Sequence, residues 1–258
     1  DAAGDSLAGK AFKGALRLPV RWLLRQEWRP FGLGLEHVLV CSKSVQEELL
    51  RAGLPVEHAR VIYHGIDPSP YKEMAQQRQP RVHNSPLRVV YVGGLLKHKG
   101  VHTAIEALHH LKEERVPIPV HLTVLGAGHP EYEQHLHQLV ECWRMDSAVS
   151  FHQPIPRSEL PAFLAKFDVL VMPSVYEEPQ ARISQEAMAA GLVLVATLTG
   201  GTKEILVDGE NGLAFKPEDA KGLAMQLRLL ATDEDLRNRL IDRGWLTVAE
   251  RFTITRMI

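Results

Sequence analysis

Two glutamates with seven residues between them, Glu178 and Glu186, form the most chemically suggestive pair in this 258-residue chain. They lie in PSVYEEPQARISQEAMAAG (173–191). The segment reads as a strand end, a loop carrying Glu177 and Glu178, and a helix running to about Ala190 with Gly191 as its C-cap. Glu178 then precedes the helix and Glu186 sits about one turn inside it. Carboxylates accept hydrogen bonds, and the vicinal hydroxyls of a ribose or a hexose offer two donors at matching spacing. The helix start between the glutamates presents backbone N–H groups and the positive end of a dipole, which suits a diphosphate. The plainer alternative is an acid favoured beside a helix start and a second, solvated glutamate.

A second segment, YVGGLLKHKG (91–100), ends a strand in two glycines, carries Lys97, His98 and Lys99 on a short loop, and opens a helix near Gly100. Backbone amides at a helix start with ammonium groups beside them make an anion site. The alternative is a glycine turn with solvated lysines, because such turns are common between strand and helix. The spacing is neither that of a P-loop nor GxGxxG.

The elements that must position these groups follow from hydrophobic patterning. Short runs rich in Val and Leu occur at 37–41, 59–63, 87–93, 120–126, 148–151, 168–173, 192–196 and 212–215. Most are continuous rather than alternating, as in strands buried on both faces of a parallel sheet. Between them, Val101, Ile105, Leu108 and Leu111 keep helical spacing, as do Ala220, Leu223, Leu227 and Leu230 behind Pro217, a residue suited to a first helical turn. The pattern predicts an α/β, doubly wound parallel sheet. In such sheets ligands bind outside the carboxyl ends of the strands, where the strand order reverses. Four segments follow strands in this way: Gly93-Gly94 to Gly100, Gly126 to Gly128, Pro173 to Glu186, and Gly200-Gly201 to Glu204.

Composition narrows the function. Thirty Lys and Arg against 31 Asp and Glu give a net charge of −1, which argues against a protein built around a basic field for nucleic acid. Two cysteines, Cys41 and Cys142, cannot form a zinc quartet alone, and a reducing cytosol is the default compartment. No apolar stretch reaches the ~18–20 residues of a membrane span, and no signal peptide opens the sequence. The 13 histidines include His109-His110, His135 and His137, but no HExxH, and are read as solvent-facing. The region 233–252 reads as a surface helix with Leu236, Leu240 and Val248 inward and Gly244 lowering its stability.

Taken together, these residues resemble the retaining, nucleotide-sugar-dependent glycosyltransferases of family 4, which have the GT-B fold. The resemblance covers about residues 37–258. It runs in order through VLVCSKSVQEELLRAG, VIYHGID (61–67), VVYVGGLLKHKGVHTAIEAL (89–108) and VLGAG (124–128), then EPQARISQEAMAAG, TGGTKEILVDGENGLAF (199–215) and the terminal ERF (250–252). It implies transfer of a sugar from a UDP- or GDP-sugar, with Lys99 and Glu178 as the catalytic pair. Glu178 would face the donor sugar hydroxyls, Glu186 the ribose hydroxyls, and Lys99 the diphosphate, where it stabilises the leaving group. Gly93, Gly94, Lys97, Ala181, Arg182 and Ile183 would join the donor site. Gly126, Gly128 and Ser174 would shape its wall, and Gly200, Gly201 and Glu204 its floor. No obligatory metal and no cofactor are implied. A same-face departure and attack fits better than a covalent intermediate, since no nucleophile is evident.

Departures from the family pattern are informative. An arginine is customary five residues before the lysine, where this chain has Gly94, and Arg182 or Lys97 are the candidates to replace its charge. Ala181 and Gln153 occupy positions that are often glycine, and a methyl at Ala181 needs a negative φ. The expected organisation is a basic amphipathic segment at 1–36, the end of an N-terminal acceptor domain with a linker at 37–86, and a donor-binding domain at 87–258. Such a chain carries a remnant of the acceptor half, so a glycan or lipid-linked acceptor would be held by the missing N-terminal domain. Residues 10–29 place Lys13, Arg17, Arg21, Arg25 and Arg29 on one stripe. The stripe suits packing on that domain or peripheral contact with the cytoplasmic membrane face. A non-catalytic nucleotide-sugar-binding module and a GT-B-fold epimerase are the alternatives. The EAMAAG after the second glutamate argues against the epimerase.

Overall fold

All eight apolar runs become strands, because β-branched and leucine side chains fill a sheet covered on both faces. The computed structural model describes residues 37–77, 85–115 and 119–257. The basic stripe at 10–29 therefore lies outside the described residues, as does much of the polar linker. Among the described residues no helix is long and apolar enough to cross a membrane. The chain divides into two units between Ile62 and Tyr63.

In the first unit, β1 (Leu39–Val40) and β2 (Arg60–Val61) pair in parallel, joined by a helix over Lys43–Arg51. Ser42 caps that helix, its Oγ accepting from the Val45 N–H at 3.2 Å. Val40, Val56 and Ala59 make a small core. The Gln46 amide closes the turn by donating to the carbonyls of Val56 and Ala59, each at 3.1 Å.

The second unit holds β3 (Leu87–Val92), β4 (Val120–Leu125), β5 (Val149–His152), β6 (Val169–Met172), β7 (Val193–Thr197) and β8 (Gly212–Phe215). They form a six-stranded, wholly parallel sheet in the order β5-β4-β3-β6-β7-β8. Successive strand residues alternate between two cores. Val89, Tyr91, Val169, Val171, Val193 and Val195 pack with helices Val101–Glu113, Pro130–Cys142 and Ala220–Thr232. Val90, Leu170, Met172, Leu194 and Ala196 pack on the other face with Leu160, Leu164 and the helix Arg182–Ala189. Chain direction reverses across the sheet between β3 and β6, which places the switch point there. Asp168 anchors it from below, its carboxylate accepting from the Arg88 backbone N–H at 2.8 Å and from Nε and Nη2 at 3.0 and 2.9 Å.

Three local expectations change. The helix expected behind Pro217 is capped by Asp219, whose Oδ1 accepts from the Gly222 N–H at 2.8 Å, so Pro217 precedes the helix instead of opening it. Residues 69–76, partly read as linker, form a helix in the second unit with Tyr71 buried. Gly244, in the helix Glu234–Arg251, is buried, and a Cβ there would stand 3.3 Å from Met188 Cγ. Its missing side chain therefore permits close packing, which offsets its poor helix propensity. Leu236, Leu240 and Val248 face inward as expected. Beyond that helix, the Ile254 N–H donates to the Ile66 carbonyl at 3.0 Å, which ties the segment back onto the same unit.

Candidate functional site

The loop after β3 and the loop after β6 meet at the switch point, and they carry Lys99 and Glu178. Gly100, with φ of +70°, ends the 3₁₀ turn Lys97–Lys99 and starts the following helix. A Cβ there would collide with the Pro173 carbonyl, so glycine is what lets the two loops approach. The Val175 N–H donates to the His98 carbonyl at 2.9 Å and holds them together.

Lys99 Nζ lies 2.8 Å from Glu178 Oε1 and 2.8 Å from the Tyr176 hydroxyl. The Tyr176 hydroxyl donates to Glu178 Oε2 at 2.8 Å, and Ser174 Oγ donates to Oε1 at 2.6 Å. Glu178 is thus a buried carboxylate with both oxygens occupied, 4% exposed. The Tyr176 ring also sits under the Lys99 ammonium at 4.6 Å, with His98 against its edge. Burial opposes the Lys99 charge, but the hydrogen bonds to Glu178 and Tyr176 and their electrostatic attraction outweigh it, so its pKa is raised. Burial chiefly raises the Tyr176 phenol.

Glu186, at 3% exposure, pairs with the Arg157 guanidinium. Tyr71 completes this second group. Burial pushes its phenol up to about 12, the Glu186 carboxylate adds to that, and Arg157 and Arg182 pull the other way. Arg182 is the first residue of its helix, and Ala181, with φ of −80°, tolerates its methyl as expected. The amides at this helix start have no side-chain cap.

A cavity of about 310 Å³ at the carboxyl ends of β3 and β4 is lined by Gly93, Gly94, Gly126, Ile155 and Arg157, and Arg157 links it to Glu186. A Cβ on Gly126 would collide with the Gly93 carbonyl, so glycine there allows the strand ends to close up. Gly94 has room, since an added Cβ would meet only the Leu96 side chain at 3.8 Å. Gly128, beyond this cavity, donates its N–H to the Glu133 carboxylate. The Gly200 N–H is taken by the Glu177 carboxylate and the Gly201 N–H by the Glu178 carbonyl at 2.6 Å. These two amides brace the glutamate loop from below. The Glu204 carboxylate accepts from the Tyr63 hydroxyl at 2.6 Å.

Lys99, Ser174, Glu178, Gly200 and Gly201 are therefore gathered at one margin, with Glu186, Arg182, Ala181 and Ile183 on the adjoining helix start. Lys97 lies elsewhere, along a groove lined by histidines. Sequence reasoning missed Tyr176, Arg157 and Tyr71. Tyr176 stands two residues before Glu178, so proximity was a usable signal. Arg157 is 29 residues from Glu186, and nothing local ties them. Among the described residues no group of three or more His, Cys, Asp or Glu side chains is arranged to hold a metal ion.

The sequence profile described as "Glycosyl transferases group 1" matches residues 73–245. Glycogen synthase of Mycobacterium tuberculosis is 33% identical over 238 residues, covering 88% of this chain and 53% of that protein. The lipopolysaccharide core biosynthesis glycosyltransferase LpsE of Rhizobium meliloti is 34% identical over 165 residues, covering 64% and 45%. The chain thus spans about half the length of these relatives. Among solved structures, Anabaena HepE, crystallised in complex with UDP and glucose, aligns with a TM-score of 0.76 at 25% identity over 86% of this chain and 60% of that one. The C-terminal domain of a group 1 family glycosyl transferase from Francisella tularensis aligns with a TM-score of 0.62 at 26% identity, over 74% of this chain and 100% of that domain.

Proposed function

Since the chain belongs to the group 1 glycosyl transferases, we propose that it binds a nucleoside-diphosphate sugar at the β3–β6 switch point for glycan synthesis, with transfer retaining the anomeric configuration. The observation that carries this reading is the convergence of Lys99, Glu178 and the open helix start at Arg182 on one sheet margin. The UDP and glucose held by HepE support the donor class.

In this reading the donor diphosphate draws the Lys99 ammonium and the helix-start amides, and the sugar hydroxyls donate to Glu178. As the bond from the anomeric carbon to the phosphate oxygen breaks, negative charge collects on the diphosphate. A fixed ammonium and fixed amides stabilise that charge without reorganisation, an effect worth about 10²–10³ in rate per donor. The acceptor oxygen bonds the anomeric carbon from the face the phosphate leaves, and its proton passes to the departing phosphate oxygen. Glu186 holds the ribose hydroxyls once Arg157 gives way. Arg182 supplies the charge absent at Gly94. The scheme needs no resident metal, so a chelator leaves turnover unchanged. The acceptor, a glycan or a lipid-linked sugar, is held by regions beyond the donor unit, on the cytoplasmic side of the cell.

The test is a thermal-shift panel of UDP-, GDP- and ADP-sugars on this chain, followed, in a protein that also carries an acceptor-binding half, by NMR of the anomeric configuration of the transfer product. Retention with one donor supports the reading. Inversion in that protein, or stabilisation of this chain by no donor, overturns it. Arg182→Ala measured against UDP or GDP tests the charge replacement, and unchanged affinity rejects it.

A further inference from the structure

A second concave site lies on the other side of the Leu96–Lys99 turn from Glu178. It is a groove of about 500 Å³, larger than the cavity beside Gly93, lined by Lys97, His98, His102, His129 and His135. One carboxylate, Glu131, stands on its rim, and Leu96 and Tyr132 give it an apolar wall. His98 packs on Tyr176 and the His102 and His135 rings on Tyr132, but the donor-site reading gives the four imidazoles and the ammonium of this groove no role.

Inside the groove His102 is hydrogen-bonded to Tyr132. Its hydroxyl accepts from the His102 backbone N–H at 3.2 Å and lies 2.7 Å from His102 Nδ1. One tautomer directs the phenol proton to Nδ1, which then accepts. Neutral His102 then carries its own proton on Nε2, as a donor. Burial lowers the His102 pKa, and His135 and Lys97 lower it further, while Glu106 and Glu218 act in the opposite sense. His102 is thus faced by Lys97 and His135 on the groove side and by the carboxylates of Glu106 and Glu218 as well.

We propose that this groove is a binding site for a phosphate-type oxyanion, seated among Lys97, His102 and His135. The anion relieves the repulsion among these groups, so binding takes up protons and tightens as pH falls. A phosphate ester has the further use of Leu96 and the Tyr132 ring, which inorganic phosphate lacks. The site is independent of the donor assignment, since neither Glu178 nor Glu186 lines it.

The experiment follows the histidine ring signals of the full chain by NMR as sulfate is added at constant ionic strength. Sulfate keeps its charge between pH 6 and 8, so any pH dependence belongs to the protein. The expected result is a saturable shift of the His102 and His135 rings, with affinity at least fivefold higher at pH 6.0 than at pH 8.0. His135→Ala and Lys97→Ala, both exposed positions, weaken it severalfold, and Lys99→Met leaves it intact. A parallel titration with inorganic phosphate and phenyl phosphate assigns the source: equal affinity means the free ion, tighter ester binding an organic phosphate. Three results overturn the proposal: no saturable shift, equal shifts at all histidines, or loss on Lys99→Met but not on His135→Ala. The last would mean that the sulfate had entered the donor site.

Discussion

Lys99 Nζ and Glu178 Oε1 lie 2.8 Å apart although 79 positions separate the two residues in sequence. The contact joins the loops of two neighbouring strands at the point where the sheet changes direction. On the proposed donor reading, it also means that the resting protein neutralises the charge that would bind the diphosphate. In that reading a donor would take the ammonium from Glu178 and give that carboxylate sugar hydroxyls in exchange, while Tyr176 and Ser174 keep it aimed.

Removing one member of this pair leaves the other buried without its counter-charge. Lys99→Met keeps most of the apolar stem but strands a carboxylate whose side chain is 5% exposed. The expected loss is about 1–3 kcal/mol. Glu178→Gln in the same chain restores part of it, so the double variant is more stable than the two single losses predict. Urea denaturation of the four proteins measures this coupling, and strict additivity contradicts it.

Alkaline pH acts on the same region. Tyr63 and Tyr71 have folded-state pKa values pushed up to about 12 from 10.0, in both cases chiefly by burial. The Lys99 pKa is raised from 10.5. Groups with raised folded values contribute stability that is fully present below the unfolded pKa and is lost as pH climbs through the folded one. The denaturation midpoint therefore falls between about pH 10 and 12, the interval set by the two tyrosines. Tyr71→Phe flattens the fall, as a pH series of urea melts will show.

How much of this was legible in the sequence depends on the range of the interaction. Every strand was visible, because a doubly covered sheet writes itself as continuous apolar runs such as VLVM at 169–172. The margin holding Lys99 and Glu178 was also visible, since both follow strands. Arg157 was not. Its partner Glu186 lies on the helix after the next strand, and only tertiary folding makes them neighbours. Pro217 misled because prolines suit both the first helical position and the residues before a cap, and Asp219 decided the matter by accepting from Gly222.

Gly94 offers a gain-of-function test. A Cβ there meets only Leu96 at 3.8 Å, so space does not forbid a longer side chain. Gly94→Arg puts a guanidinium on the cavity that Gly93, Gly126 and Arg157 line and tightens nucleoside-diphosphate binding by about tenfold, the equivalent of ~1.4 kcal/mol. Isothermal titration with UDP and GDP measures it, and weaker binding in a folded variant counts against the placement of the diphosphate.

Gly100 is the opposite case. Alanine there must hold φ near +70° and push its methyl against the Pro173 carbonyl. The left-handed conformation alone costs about 1–2 kcal/mol. Gly100→Ala is therefore destabilised by at least that much in thermal unfolding, and it loses diphosphate affinity because the Lys99 loop moves off the Glu178 loop. Parent-like stability would show that this close approach is dispensable.

The most direct test of the donor site is calorimetric titration of the chain with the nucleoside diphosphate that stabilises it best, repeated on Lys99→Met and Glu186→Gln. Binding to the parent, lost by tenfold or more in both variants, is the predicted result. For Glu186→Gln the deficit should vanish with the 2′,3′-dideoxy nucleotide. Parent-like affinity in both variants would place the nucleotide elsewhere and contradict the account.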